Sequence, residues 1–329
     1  MEDYIPSFRQ LTSMNNSKKI LLVSPRGFCA GVTRAIEIVE LALQKYGSPV
    51  YVNHEIVHNK YVIEELTNKG AIFLDNINDA PSDRPFILSA HGVSKDVESY
   101  ANKNSDVVID ATCPLVTKVH VQALKFFEKG YKIILIGHKN HPEVIGTMGQ
   151  LPPNSIFLVE TLEDVEKVSV DKNEKIAYLT QTTLSIDDTK TIINALKLKY
   201  PEIGASPKED ICYATSNRQK AIKEYAKMCD SFIVVGANNS SNSNRLVEVA
   251  KKAGCKKTIL LENDFHLKIS DFYSDNIIGV SSGASVPDIL VQNVINRFKG
   301  HYKIDLEEVS LGEEHVTFKL PRELRVEHK

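Results

Sequence analysis

Residues 109–120 read IDATCPLVTKVH and contain the junction on which the predicted fold depends. The apolar run after Asp106 is typical of a buried strand, and it breaks at Asp110. Pro114 follows Cys113, and proline suits the first position of a helix because its missing N–H would be unpaired there. We therefore predict that Cys113 lies at a strand-to-helix turn, beyond the end of a sheet. The alternative is a small buried hydrophobe, the commonest fate of a free cysteine.

Two further stretches place a cysteine in the same context. RGFCAGVTRAIEIV surrounds Cys29 and DICYATSNRQKAI surrounds Cys212, and each cysteine directly precedes an amphipathic helix. Three such cysteines indicate one shared metal site. The remaining two, Cys229 and Cys255, lie on a helix or beside a glycine turn, and we interpret both as structural because buried cysteine is ordinary.

The segment after each cysteine repeats the same order of elements. Strands alternate with helices, which is the pattern of a parallel α/β sheet. A polar loop begins 25 residues after each cysteine, where a strand ends, and these positions are His54 (54 − 29), His138 (138 − 113) and Ala237 (237 − 212). Ligands of such sheets lie beyond the carboxyl ends of the strands. We infer three similar α/β units that each contribute one cysteine and two polar loops to a common centre.

The repeat predicts the domain boundaries. They are 30–113 for the first α/β domain, 114–209 for the second, 210–300 for the third with the N-terminal strand 19–29, 301–329 for a C-terminal tail with one strand, and 1–18 for a flexible extension. Residues 197–210 resemble an interdomain connection. The stretches GHKNHPEV and NNSSNSN are predicted as loops, and a helix is predicted from about Arg245 to Ala253.

Composition excludes several classes of protein. The chain has 329 residues, 42% apolar and 25% charged, which are globular values and suggest two or three domains. A net charge of −2 with scattered lysine and arginine argues against general nucleic-acid binding. No apolar run approaches the length of a bilayer span, and the N-terminus lacks the apolar stretch of a signal peptide. Five cysteines, an odd number, argue against a disulfide framework, so we expect a reducing cytoplasm.

Three thiolates on one metal site allow more than one chemistry. Zinc sites of this kind usually contain close-spaced cysteine pairs or a fourth ligand, whereas these cysteines are separated by roughly a hundred residues. Iron–sulfur clusters are also held by thiolates, and a cubane with three protein ligands leaves one iron free to act as a Lewis acid. A simple electron carrier and a zinc hydrolase that uses His141 and Glu143 remain alternatives.

The polar loops contain further candidates. His58, His91 and His141 lie in these loops, and Glu143 is the carboxylate placed in one of them. Asn238–Asn244 precede a predicted helix, where hydroxyls, amides and the helix N-terminus form a phosphate cradle. SSGAS at 281–285 repeats that pattern on another strand. By contrast, His120 is interpreted as a core or surface histidine.

Eight ordered motifs between about residues 19 and 327 closely resemble the 4-hydroxy-3-methylbut-2-enyl diphosphate reductase family. They are RGFCAGVTRAI, SAHGVS, DATCPLVTKVH, IGHKNHPEVIGTMGQ, TQTTLS, ICYATSNRQ, NNSSNSNRL and GASVPDILVQ. The resemblance implies a trefoil of three similar parallel-sheet α/β domains around a central 4Fe–4S cluster. It also implies reductive removal of the C4 hydroxyl of an allylic diphosphate, with two electrons and two protons, to give isopentenyl and dimethylallyl diphosphate.

The same resemblance assigns residues to roles. It implies that the substrate hydroxyl binds at the open iron and that an external donor such as ferredoxin or flavodoxin supplies electrons. It implies that the cluster ligands are Cys29, Cys113 and Cys212. The diphosphate would be held by His58, His91, Ser240, Ser241, Asn242 and Ser285. The hydroxyl end would be served by His141, Thr182 and Glu143, with Glu143 as the proton donor.

Overall fold

The computed structural model describes residues 17–171 and 173–325. The chain divides into two compact units, one drawn from Met1–Gly27 and Asn217–Glu313, the other from Phe28–Ser216 and Glu314–Lys329. Most of the predicted flexible extension, residues 1–16, lies outside the described residues, whereas Ser17 and Lys18 belong to a strand.

Strands and helices alternate along the described residues, so the predicted α/β class is confirmed. The strands are β1 (Ser17–Ser24), β2 (Val50–Asn53), β3 (Ala71–Leu74), β4 (Phe86–Leu88), β5 (Val108–Asp110), β6 (Tyr131–Ile136), β7 (Ile156–Val159), β8 (Lys175–Thr180), β9 (Gly204–Ala205), β10 (Ser231–Val235), β11 (Lys257–Leu261), β12 (Ile277–Ser282) and β13 (Lys303–Ser310). The helices are α1 (Ala30–Tyr46), α2 (Lys60–Asn68), α3 (Lys95–Asn104), α4 (Pro114–Glu128), α5 (Pro142–Met148), α6 (Leu162–Lys167), α7 (Ile186–Lys199), α8 (Tyr213–Tyr225), α9 (Ser241–Lys252) and α10 (Asp288–Lys299).

The unit that contains Phe28–Ser216 has two parallel four-stranded sheets, with orders β3-β2-β4-β5 and β7-β6-β8-β9. Apolar residues at helical spacing on α1, such as Ala35 and Ile38, are fully buried in the same core as Val52 and Ile109 of the first sheet. Parallel strands buried on both faces are continuous apolar runs, as in β6. The turns that contain Cys113 and Cys212 follow β5 and β9 of these two sheets.

The other unit has one five-stranded parallel sheet of order β11-β10-β12-β1-β13. Strand β1 lies between β12 and β13, with Leu21 opposite Gly279 on one side and Glu307 on the other. The strand predicted in the C-terminal tail is therefore β13, and it pairs with β1 along its whole length. The α/β fold thus contains three parallel sheets within the described residues. Its trefoil arrangement stays a prediction.

Three sequence expectations were wrong in detail. The stretch HPEV begins helix α5, because His141 accepts the Glu143 N–H and Pro142 occupies the first turn. Helix α9 begins at Ser241 rather than about Arg245, because the Ser240 side chain caps the Ser243 N–H. Residues 204–205 form the edge strand β9 within the stretch predicted as a connection.

Among the helices of the described ranges, none combines the length and the apolar character needed to cross a membrane.

Candidate active site

Each of the three predicted metal-binding cysteines lies directly before a helix. Cys29 is the N-cap of α1 and Cys113 is the N-cap of α4, and neither side chain makes a capping hydrogen bond to its own helix. Cys212 immediately precedes α8, and its Sγ lies 3.4 Å from the Thr215 amide nitrogen. Because the thiols of Cys29 and Cys113 are not used as caps, they can face a ligand. The predicted strand-to-helix context is confirmed.

Gly31 leaves open the space that the thiols face. A Cβ atom built on Gly31 would lie 2.8 Å from Cys113 Sγ and 3.8 Å from Cys29 Sγ. Burial, with smaller contributions from the neighbouring Cys29 and Cys212, raises the pKa of Cys113 from 9.0 to about 12. Burial also raises the pKa of Cys212 to about 11, with Cys29 again contributing. Cys29 is near enough to contribute to the raised pKa of both other thiols, so the three share one neighbourhood, and binding of a metal there would release thiol protons.

The donor set fits an iron–sulfur cluster better than one metal ion. In the parts of the chain that the structure describes, no three His, Cys, Asp or Glu side chains are arranged to hold a single ion. The three thiols, with no side chain at Gly31 between them, instead face a shared space. Cysteine thiolates are the usual ligands of iron–sulfur clusters, and soft ligands select such groups. The residues present therefore fit the cluster that the sequence resemblance implies.

The predicted pocket histidines are brought together. The ring centroids of His58 and His91 are 4.1 Å apart in a stacked arrangement, and His141 lies 5.5 Å from His58 and 6.0 Å from His91. Burial, followed by the neighbouring histidines, holds the pKa of His91 well below 6.5. Burial likewise lowers the pKa of His141 to about 3, with His58 and His138 contributing. All three rings therefore lie together, and His91 and His141 are neutral at pH 7.

A pocket of about 370 Å³ adjoins this histidine cluster, which is within the usual size range of small-molecule sites. Its lining includes His58, His91, Gly92, Ser94, Asn140 and Ile145. His91 Nδ1 is buried and has no hydrogen-bond partner among the described residues. Buried polar atoms are usually paired, so an unpaired ring nitrogen at a pocket wall is suited to a polar ligand.

Glu143 is almost completely buried on the first turn of α5, with 3% of its surface exposed. The Thr182 backbone N–H donates to Glu143 Oε1 at 2.6 Å, and the Thr182 hydroxyl donates to Oε2 at 2.9 Å. Burial raises the pKa of Glu143 from 4.5 to about 7, although the two bonds from Thr182 lower it. A carboxyl group in this environment can hold and release a proton near neutral pH.

Thr182 connects this carboxyl to the cysteine site. The carbonyl oxygen of Thr182 accepts the Cys212 N–H at 3.0 Å, while its own N–H and hydroxyl bind Glu143. One residue of the TQTTLS motif therefore contacts both the proposed proton donor and a candidate metal ligand. His141 Nδ1 accepts the Glu143 N–H at 3.2 Å, which fixes the imidazole ring beside the carboxyl. Because Nδ1 is the acceptor, the proton of the neutral imidazole is on Nε2.

The remaining predicted residues lie in the other compact unit, at the start of α9. Asn242 Oδ1 accepts the Ala284 N–H at 3.0 Å, which brings the loop containing Ser285 against the helix N-terminus. Gly283 permits this approach, since a Cβ there would be 2.2 Å from Ser243 Oγ. The structure thus groups Ser240, Ser241, Asn242 and Ser285 around one helix start, where backbone N–H groups favour an anion.

Other interpretations can be compared directly with the structure. His120 is buried, with its pKa lowered to about 4 by burial, which agrees with its interpretation as a core histidine. Cys229 and Cys255 are buried in a hydrophobic cluster, as expected for structural cysteines. The sequence reasoning missed Gly31, although its place two residues after Cys29 in CAG was a signal, since glycine permits close approach.

Comparison with known proteins gives a consistent result. The profile of the family described as LytB protein matches residues 20–299. A protein named 4-hydroxy-3-methylbut-2-enyl diphosphate reductase from Ruegeria sp. (strain TM1040) is 52% identical over 306 residues, covering 93% of this chain and 97% of the relative.

Solved structures agree with the sequence relatives. The structure of the E-1-hydroxy-2-methyl-but-2-enyl-4-diphosphate reductase from Plasmodium falciparum is 41% identical, with a TM-score of 0.89 over 94% of this chain and 97% of that chain. A second, described as (E)-4-hydroxy-3-methyl-but-2-enyl diphosphate reductase, the terminal enzyme of the non-mevalonate pathway, is 33% identical, with a TM-score of 0.63 over 86% of this chain and 99% of that chain. The chain therefore belongs to the LytB family, the family of the 4-hydroxy-3-methylbut-2-enyl diphosphate reductases.

Proposed function

We propose that this protein is an iron–sulfur oxidoreductase that converts (E)-4-hydroxy-3-methylbut-2-enyl diphosphate into isopentenyl and dimethylallyl diphosphate. The reaction removes the C4 hydroxyl as water and consumes two electrons and two protons. The proposal includes one 4Fe–4S cluster on Cys29, Cys113 and Cys212, an external electron donor such as ferredoxin or flavodoxin, and a location in the cytoplasm. The substrate is taken from the names of the relatives.

One observation carries the proposal. Thr182 binds the buried Glu143 carboxyl through its N–H and hydroxyl, and it binds the Cys212 N–H through its carbonyl. This contact joins a protonatable carboxyl, with a pKa of about 7, to the segment that carries a candidate cluster ligand. A reaction that needs both electrons and protons at one carbon–oxygen bond requires that combination.

The cysteines define what the cofactor would contribute. Bound by three thiolates, the cluster would supply electrons one at a time and one Lewis-acidic iron without a protein ligand. The chain contributes three helix N-termini at these positions, and the positive end of a helix dipole favours thiolate over thiol. Burial opposes this, as the raised pKa values of Cys113 and Cys212 in the metal-free protein indicate.

Glu143 is proposed as the proton donor. Hydroxide is a poor leaving group, so departure as water requires a proton from a group within hydrogen-bond reach. A carboxyl with a pKa of about 7 is partly protonated at neutral pH, whereas an exposed glutamate is not. The Thr182 hydroxyl lies 2.9 Å from Glu143 Oε2, so it can pass a proton between this carboxyl and the substrate oxygen. His141 keeps the first turn of α5 in place through its bond to the Glu143 N–H.

The diphosphate is proposed to bind His58, His91, Ser240, Ser241, Asn242 and Ser285. The buried, neutral His91 would gain a proton when an anion arrives, because a negative charge nearby favours the charged imidazole. The start of α9 offers backbone N–H groups and hydroxyls, which suit phosphate oxygens. Charge on the anion is thus offset by histidine protonation and helix-terminal donors.

The alternatives explain less of the site. A simple electron carrier needs no buried carboxyl with a raised pKa and no pocket lined by histidines. A zinc hydrolase that uses His141 and Glu143 needs ligands gathered around one ion, and the described residues contain no such group of three.

Anaerobic purification followed by measurement of iron and sulfide tests the cofactor, and kinetics with a chemical reductant tests the reaction. We expect about four irons per chain, one of them spectroscopically distinct in iron-57 Mössbauer spectra and responsive to the substrate. Glu143→Gln should retain the cluster and lose about 10²–10⁴-fold in turnover. Four equivalent thiolate-ligated irons would contradict the cofactor assignment. A Glu143→Gln enzyme of normal rate beside an inactive His141→Asn enzyme would show that the proton donor is misassigned.

A further inference from the structure

Arg34 holds the segment that precedes Cys113. This arginine lies on α1, five residues after Cys29, and only 9% of its surface is exposed. Its guanidinium donates to the carbonyl oxygens of Ala111 at 3.2 Å and Thr112 at 3.0 Å, and a weaker contact reaches Asp110 at 3.4 Å. The helix that begins at one cysteine therefore binds the backbone directly before the next.

Lys118 makes the equivalent contact one cysteine later. It lies on α4, five residues after Cys113, and its Nζ donates to the carbonyl oxygens of Lys208 at 3.2 Å and Glu209 at 2.7 Å. The same Nζ is 3.3 Å from Oδ1 of Asp210, whose side chain is 3% exposed. These acceptors are two to four residues before Cys212.

Arg218 completes the series. It lies on α8, six residues after Cys212, and it is fully buried. Its Nη2 donates to the carbonyl oxygen of Gly27 at 2.9 Å, two residues before Cys29. A cationic side chain thus binds the backbone just before each of the three cysteines. Each of these side chains lies on the helix that follows a different cysteine.

We infer that Arg34, Lys118 and Arg218 are positioning residues that hold the three cysteine turns in the geometry required for cluster assembly. Backbone carbonyls at a turn are flexible acceptors, and a cation on a rigid helix fixes them through hydrogen bonds that are stronger than neutral ones. The contacts form a cycle. The helix after Cys29 binds the turn before Cys113, the helix after Cys113 binds the turn before Cys212, and the helix after Cys212 binds the turn before Cys29. The contacts described for these cations go to backbone carbonyl oxygens and to the Asp210 carboxylate, so these residues act through the backbone rather than as ligands. The inference rests on the proposed function in that the thiols hold a cluster.

Lys118 is the most accessible of the three for a test, since 34% of its side chain is exposed. The test compares Lys118→Met, which keeps the stem without the charge, with Lys118→Arg, which keeps the cation and its donors. Lys125→Met is the matched control, because Lys125 is an exposed lysine about two turns further along the same helix.

The first measurement uses the metal-free protein, so it does not depend on the proposed function. Hydrogen–deuterium exchange is followed in the segment 206–213, where the Cys212 N–H is bound to Thr182. We expect exchange about 10- to 100-fold faster in Lys118→Met, the factor that corresponds to loss of a hydrogen bond to a charged group. Lys118→Arg and Lys125→Met should exchange at the wild-type rate.

The second measurement is the rate at which the anaerobically reconstituted protein loses iron to a ferrous chelator. We expect Lys118→Met to lose iron about 10- to 100-fold faster than wild type, the usual effect of removing a group that orients metal ligands. Lys118→Arg should retain iron.

Unchanged exchange in Lys118→Met would overturn the inference, and so would faster exchange with unchanged iron loss. Failure of Lys118→Arg to restore wild-type exchange would do the same. If the wild-type protein binds no cluster, the proposed function fails, while the exchange experiment still decides whether Lys118 positions the Cys212 turn.

Discussion

Replacing Glu143 with glutamine should make the metal-free protein more stable at alkaline pH, although it removes the proposed proton donor. The pKa of Glu143 rises from 4.5 to about 7, chiefly because the carboxyl is buried. Between these values the folded protein holds a proton that the unfolded chain has released. The unfolded state then binds fewer protons, so the free energy of unfolding falls as pH rises. Glutamine stays neutral at every pH and can still accept the Thr182 N–H.

The size of the effect follows from the two pKa values. Each pH unit between them changes the relative free energy of the protonation states by about 1.4 kcal/mol. Stability conferred by the neutral carboxyl is fully present below pH 4.5 and is lost as pH rises through about 7. We expect the free energy of unfolding of Glu143→Gln, relative to that of wild type, to rise with pH. Compared with its value below pH 4.5, this difference should be larger by about 1 kcal/mol at pH 5 and by about 3 kcal/mol at pH 8.

Urea unfolding of the metal-free proteins between pH 5 and 8 measures this difference. Glu163→Gln serves as the control for loss of a carboxylate without burial, since Glu163 is an exposed glutamate on α6. A difference between Glu143→Gln and wild type that does not change with pH would refute the reasoning, because it would mean that the carboxyl is not held neutral by burial.

Further predictions concern the cluster and the diphosphate. Gly31→Ala would place a methyl group 2.8 Å from Cys113 Sγ, in the space that the thiols face. The metal-free variant should fold, but its iron retention should fall about 10- to 100-fold. A full iron count would contradict this. Binding of pyrophosphate at pH 7 should be coupled to proton uptake, because His91 is neutral in the free protein. Calorimetry in buffers of different ionisation enthalpy should show less proton uptake by His91→Asn than by wild type. Equal uptake would exclude His91 as the group that gains the proton. Asn242→Ala should weaken diphosphate binding about ten- to a hundredfold, which calorimetry with an intact cluster would measure; unchanged affinity would argue against its role.

The sequence was most informative where local chemistry decides structure. Cys113 followed by Pro114 predicts a helix start, and the structure has one there. Apolar runs such as residues 133–136 predict buried strands because a parallel strand is covered on both faces. The α/β class and the three parallel sheets could be predicted for the same reason. The family could be recognised because its motifs are long and ordered.

The sequence was least informative where distant residues determine structure. The short helix α5 was predicted as a loop because its cap is a histidine, which is not among the usual N-cap residues. The two-residue strand β9 forms only because β8 is available to pair with it. The contacts of Arg34 and Lys118 join residues separated by 76 or more positions, so no local pattern could reveal them.

Ribosomal synthesis delivers β1 long before its neighbours in the sheet. Ser17 pairs with Lys303, so 286 residues (303 − 17) must be added before that partner exists, and β12, the other neighbour, begins at Ile277. At about 5–20 residues per second, the delay is roughly 15 to 60 s. During this time the apolar segment KILLV has two unpaired edges, and unpaired strand edges promote aggregation. The five-stranded sheet therefore forms only after Ser310 has been added, and the nascent β1 segment should be a client of chaperones that bind extended apolar segments.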